Sequence, residues 1–233
     1  MSEDRSVFDL VEPSSGELIS YGDSADQVIE LFRASDESGA SKKSIGLIHG
    51  GYWRPEYDRA HLRPSAVRLA SEGFDTYLIE YRRSQGSPDH YIEDIKSAVE
   101  VIGDCTLIGH SAGGHLALLV SESPQVKKIV ALAPVSDLAR GQELNLDEGA
   151  ITLFLGGDAD DRPDLDPMRL SALRVPVTVI HGAHDERVPV ELSQSFAETF
   201  KEIEYIEIPD CGHFELIDPR RDSIFRLMLS ALQ

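Results

Sequence analysis

The chain has 233 residues, 41% of them hydrophobic and 27% charged, a size and balance that suit one substantial core and leave little for a second domain. Its 41 Asp and Glu against 22 Lys and Arg give a net charge of −19, which repels nucleic-acid phosphates and anionic membrane surfaces. No apolar run approaches the ~20 residues needed to span a bilayer, and Met1-Ser2-Glu3-Asp4-Arg5 has neither the basic nor the apolar region of a secretion signal.

Taken in order, residues 17–21 and 27–33 are short, partly alternating runs around Gly22-Asp23-Ser24-Ala25-Asp26, and predict an antiparallel pair at a sheet edge. Residues 35–43 predict a polar loop, and 44–49 a buried strand that runs into Gly50-Gly51-Tyr52-Trp53. Residues 57–72 carry Leu62, Ala66, Leu69 and Ala70 at helical spacing, with Gly73 as the stop. A strand follows at 74–81 and a helix at 91–102 with Ile92, Ile95, Val99 and Ile102 on one face. Further strands are predicted at 104–108, 127–133, 175–181 and 204–208, and an amphipathic helix at 219–232 closes the chain. This alternation predicts an α/β fold: a mostly parallel twisted sheet of about 7–8 strands with helices on both faces, in one domain over residues 1–233. Residues 134–174 interrupt the alternation and predict a minimal cap, with 147–155 helical.

In such sheets chemistry gathers at the carboxyl ends of strands. There the sequence places Gly109-His110-Ser111-Ala112-Gly113-Gly114, a Gly-x-Ser-x-Gly pattern between a strand and a helix. The turn strains the serine backbone, and side chains at the flanking glycines would collide with neighbouring elements, so the hydroxyl projects clear of the sheet. A serine hydroxyl needs a base, and the base an orienting carboxylate. In the order Ser, acid, His, the downstream candidates are Asp185 in His181-Gly182-Ala183-His184-Asp185-Glu186 and His213 in Asp210-Cys211-Gly212-His213-Phe214. Glu186 is a rival acid, and Asp185 could instead cap a helix at 189–200. Acyl transfer builds charge on a carbonyl oxygen, and the loop after the early strand offers the amides of Gly51 and Tyr52, with that of Ala112, as an oxyanion hole. His49 and His110 read as loop-shaping residues, and Trp53 as a wall of the substrate pocket or, equally, a core residue.

The acidic run 158–166 fits a calcium loop badly, because Arg162 and Pro163 stand where a ligand and a glycine belong, so it reads as a solvated loop. Cys105 and Cys211 fall near opposite ends of their strands, beyond disulfide reach, which suits reduced thiols and a cytoplasmic setting.

His-Gly-Gly-Tyr-Trp at 49–53, Glu-Tyr-Arg-Arg at 80–83, the serine motif at 109–116, His-Gly-Ala-His-Asp at 181–185 and Gly-His-Phe at 212–214 resemble the α/β-hydrolase superfamily. Within its esterase/lipase branch the chain looks like the kynurenine formamidase-like (arylformamidase) group, which is also marked by His-Gly-Gly-x-Trp. The resemblance implies Ser111, Asp185 and His213 as the triad, with Gly51, Tyr52 and Ala112 as oxyanion amides. It also implies a cofactor-free, metal-free serine hydrolase acting on a small carboxylic ester, with a formamide as the close rival. A non-catalytic small-molecule receptor on the same fold is the alternative of another class; a lost triad member would mark it, and none is lost here. Oligomeric state is not set by these motifs.

Overall fold

The structure is a computed structural model that describes residues 4–10, 15–35 and 43–232; the loop expected at 35–43 and the first residues of the chain fall mostly outside these. Its frame is an eight-stranded sheet in the order β1-β2-β4-β3-β5-β6-β7-β8. The strands are β1 Glu17–Ser20, β2 Val28–Phe32, β3 Lys43–Ile48, β4 Phe74–Ile79, β5 Cys105–His110, β6 Val126–Leu132, β7 Val177–Gly182 and β8 Glu204–Ile208. β1 pairs antiparallel with β2, and β2 antiparallel with β4, while β4, β3, β5, β6, β7 and β8 run parallel.

The alternation of side chains along each strand divides the core in two. Leu107 of β5, Ile129 and Ala131 of β6 and Val179 of β7 face one side. The helices with buried residues there are α2 (Asp89–Ile102), through Tyr91, Ile95 and Val99, α3 (Ala112–Leu119), and α6 (Val190–Thr199), through Leu192 and Phe196. Their strand neighbours Ile108, Val130, Leu132 and Ile180 face the other side, with Leu69 of α1 (Arg63–Ser71) and Phe225 and Met228 of α7 (Asp222–Ser230). Because both faces are covered, the central strands carry runs of successive apolar residues, such as Leu107-Ile108 and Ile129–Leu132, rather than a polar residue at every second position. The two cysteines lie on opposite faces, and both thiols are free.

The helix expected at 57–72 begins differently. Asp58 accepts the Ala60 amide at 2.8 Å and tightens Arg59–Leu62 into a 3-10 turn; Pro64 in the first turn of α1 then starts the α-helix proper. Residues 134–174 form α4 (Leu138–Glu143), α5 (Ala150–Leu155) and 3-10 turns at Ala159–Asp161, Pro163–Leu165 and Pro167–Arg169. This segment packs on the sheet edge: Phe154 stacks on Trp53 with ring centroids 4.4 Å apart, and His115 of α3 bonds the Leu165 carbonyl at 2.9 Å. Asp166, expected in a solvated loop, is buried, and its carboxylate accepts the amides of Leu138, Ala139 and Met168. The Leu138 and Ala139 amides at the start of α4, and that of Met168 in the Pro167–Arg169 turn, need acceptors, which is why a carboxylate is kept there in spite of its burial.

Candidate active site

Ser111 sits between β5 and α3 with φ 56° and ψ −120°, a left-handed conformation costly for any residue with a Cβ. Three contacts hold it there. Its amide donates to Leu132 O at 2.8 Å, and its carbonyl accepts from His115 N at 3.1 Å and Val135 N at 3.4 Å. The flanking glycines are required by close approach: a Cβ on Gly109 would strike the Gly113 carbonyl, and one on Gly113 would strike the Ile48 carbonyl of β3. Ala112 is the first residue of α3, so its amide has no partner within the helix.

After β3 the chain takes three successive positive φ values, Gly51 110°, Tyr52 49° and Trp53 57°. This strained loop is tied at several points. The Tyr52 hydroxyl donates to Arg187 O at 2.5 Å, and Arg54 reaches Asp147 at 2.6 Å. His49 is wholly buried, with Nδ1 2.7 Å from Gly50 O and Nε2 2.9 Å from Glu80 Oε1, so both ring nitrogens face acceptors. Burial alone would raise the Glu80 carboxyl, but the hydrogen bond and charge of His49, with Arg83 and the Arg59 amide, bring it down to about 2.

Asp185 lies on the loop after β7 and His213 after β8. The two meet at 2.6 Å, His213 Nδ1 to Asp185 Oδ2, while Asp185 Oδ1 accepts the amides of Arg187 and Val188 at 2.8 Å each. Burial pushes the Asp185 carboxyl up, yet His213 and His181 together hold it well below the usual carboxylate range. The rival Glu186 is exposed, and α6 has Pro189 at its N-cap with no side-chain hydrogen bond there, so Asp185 is not its cap. His110 bonds the His213 carbonyl through Nε2 at 3.1 Å, its ring 4.4 Å from that of His213; burial and the neighbouring His213 keep it far below its ordinary value and therefore neutral.

Ser111 and His213 line one pocket of about 480 Å³, its open mouth included, with Tyr52, His110 and Phe214. Its outer wall comes from Tyr57 and His61 and from the far end of the chain, Arg5 and Phe8. Phe8 meets Phe214 edge to face at 4.8 Å. The Ser6–Asp9 turn that carries it is pinned by Arg220 to Ser6 and Arg221 to Asp4, both at 2.7 Å. Sequence reasoning missed this wall, because a lone phenylalanine in a short polar segment carries no periodic signal. Trp53, by contrast, does not line this pocket. It is buried between Phe154 and His115, where a large indole gains more from aromatic packing than from the pocket rim. Among the described residues there is no cluster of His, Cys, Asp or Glu that could hold a metal; in the acidic run, Arg162 bridges Asp89 and Asp164, and Arg169 pairs with Asp160.

A mostly parallel sheet with a strained serine turn after one central strand, an acid after a later one and a histidine after the last defines the α/β-hydrolase class of proteins. The chain belongs to the alpha/beta hydrolase family, whose sequence model matches residues 47–172. It is similar to esterase LipC of Mycobacterium tuberculosis, at 26% identity over 256 residues; the match covers 86% of this chain and spans 60% of that relative's length. In fold it resembles a truncated carbohydrate esterase from gut microbiota, with TM-score 0.77, 18% identity and 99% of each chain covered. It also resembles a thermophilic esterase of the Planctomycetes species Thermogutta terrifontis, with TM-score 0.72, 21% identity, and 93% of this chain and 91% of that one covered.

Proposed function

We propose that this chain is a serine hydrolase of small carboxylic esters, with Ser111 as nucleophile, His213 as base and Asp185 as orienter. The observation that carries the reading is the 2.6 Å bond between His213 and Asp185 at the edge of the pocket that Ser111 also lines. The carboxylate fixes the imidazole with hydrogen on Nδ1 and leaves Nε2 to take the Ser111 proton as Oγ attacks the carbonyl. The amides of Gly51, Tyr52 and Ala112 stabilise the resulting oxyanion. Collapse breaks the ester bond, and the leaving alkoxide takes the proton back from His213. Water, deprotonated by the same ring, then attacks the acyl-enzyme and releases the acid with Ser111 restored. The relatives named as esterases lean toward the same reaction.

The pocket wall of Phe8, Tyr52, Tyr57 and Phe214 favours a flat or aryl-bearing substrate. That lining is also what supports the second reading, hydrolysis of an aryl formamide, suggested by His-Gly-Gly-Tyr-Trp at 49–53. A formyl anilide has a poorer leaving group and asks for firmer protonation from His213. Two buried free thiols favour a reducing, cytoplasmic setting; no helix among the described residues is long and apolar enough to cross a membrane.

The test is a rate comparison of p-nitrophenyl esters of graded acyl length with N-formylkynurenine, on the parent chain and on Ser111→Ala. The parent is expected to turn over short esters and to be labelled by a fluorophosphonate, and Ser111→Ala to do neither. Labelling that persists in Ser111→Ala would overturn the nucleophile, and a preference for N-formylkynurenine would replace the ester reading with the formamide one.

A further inference from the structure

The Asp185 carboxylate serves two imidazoles. Besides His213 at 2.6 Å, Oδ2 lies 3.1 Å from Nε2 of His181, the penultimate residue of β7. Both side chains of this second pair are fully buried. His181 Nε2 also lies 3.0 Å from Val188 O, and Nδ1 lies 2.7 Å from the hydroxyl of Ser193 on α6, itself buried. Nε2 thus faces two acceptors and must carry hydrogen, which it shares between them. The Ser193 hydroxyl faces Nδ1 and, donating there, leaves the ring hydrogen on Nε2.

Building on the reading of His213 as base, we propose that His181 is a positioning residue for the hydrolytic machinery: its Nε2–H, set by Ser193, fixes the rotation of the Asp185 carboxylate that aims His213. The two amides at Oδ1 hold one end of that carboxylate. Without a second donor on Oδ2, the other end would be held by His213 alone, the group whose orientation it is meant to determine. His181 does not touch the pocket, whose lining does not include it. It acts only through Asp185. The arrangement links the body of the sheet, β7, and a helix behind it, α6, to the ring of His213.

The experiment compares His181→Leu, His181→Gln and Ser193→Ala with the parent on one short p-nitrophenyl ester. It also records the low-field proton NMR signal of the His213 Nδ1–H on each protein without substrate. His181→Leu is expected to lose about tenfold in kcat with KM within about twofold, well short of the ~10⁴-fold that removing an orienting carboxylate costs. Its low-field signal should shift or broaden. His181→Gln, which keeps an N–H near the same place, should recover most of the rate and the parent signal, and Ser193→Ala should fall between. A His181→Leu protein with parental kcat and signal overturns the proposal; so does a His181→Gln protein no better than His181→Leu, which would mean that the ring fills space only. If His181→Leu does not fold, the Gln and Ala variants decide by the same two readouts. A parent inert to every ester overturns the ester reading alone, because the NMR comparison needs no turnover.

Discussion

Gly50 and Ser111 approach so closely that a Cβ on the glycine would sit 2.8 Å from the serine Cβ and 2.9 Å from the His110 carbonyl. The loop after β3 is therefore seated directly on the Ser111 turn, and that contact places the amides proposed for the oxyanion. Gly50→Ala must push one element off the other. The expected outcome is a loss of kcat of about 10²-fold or more with the sheet intact, the size seen when one oxyanion donor is misplaced. Steady-state rates beside a far-ultraviolet circular dichroism spectrum check it.

Asp185→Asn keeps an acceptor for the Arg187 and Val188 amides but can turn an N–H toward His213. That favours the wrong imidazole tautomer, with hydrogen on the nitrogen that should accept the serine proton. A fall in kcat of about 10³-fold or more is expected. A variant within tenfold of the parent would remove Asp185 from the triad.

Phe8→Ala opens the pocket wall and deletes the edge-to-face pair with Phe214. Folding stability should change by only about 1 kcal/mol, because Phe8 is already partly exposed. Selectivity should change more: the ratio of kcat/KM for an aryl acyl ester to that for a straight-chain one is expected to drop severalfold. An unchanged ratio would mean that substrate never meets this wall.

Glu80 gives the fold an acid-sensitive point. Its folded carboxyl is lowered from 4.5 to about 2, so its stabilising effect is fully present above about pH 4.5 and is lost as pH falls toward 2. The corresponding free energy is of order 3 kcal/mol. Urea unfolding at pH 7 and pH 3 should show the parent losing stability by more than Glu80→Gln does; parallel losses in both proteins would contradict the assignment.

What was legible in the sequence follows from which forces act locally. Ser111 was readable because a strained turn demands glycine at fixed offsets, and Gly109 and Gly113 meet the obstacles that demand supposes. The parallel strands were readable because two-sided burial writes continuous apolar runs, as in Ile129-Val130-Ala131-Leu132 of β6. Trp53 could not be placed, since an indole after a Gly-Gly loop suits core and pocket alike, and only Phe154, a hundred residues on, decides between them. Asp166 was hidden inside an acidic run that looks solvated from composition alone. The sharing of Asp185 by His181 and His213 depends on the spacing of β7 and β8, which no local pattern encodes.

The wall of the pocket joins residues far apart in the chain: Ser6 meets Arg220 and Asp4 meets Arg221, across 214 and 217 positions. During synthesis, every strand but β8 and the whole serine turn can form before residue 204 has left the ribosome, yet His213 and the partners of that first turn do not yet exist. A chain halted before residue 204 would thus present a nearly finished sheet in which Ser111 lacks its proposed base. If Ser111 and His213 act as proposed, onset of turnover during translation would report that residues 204–232 had docked.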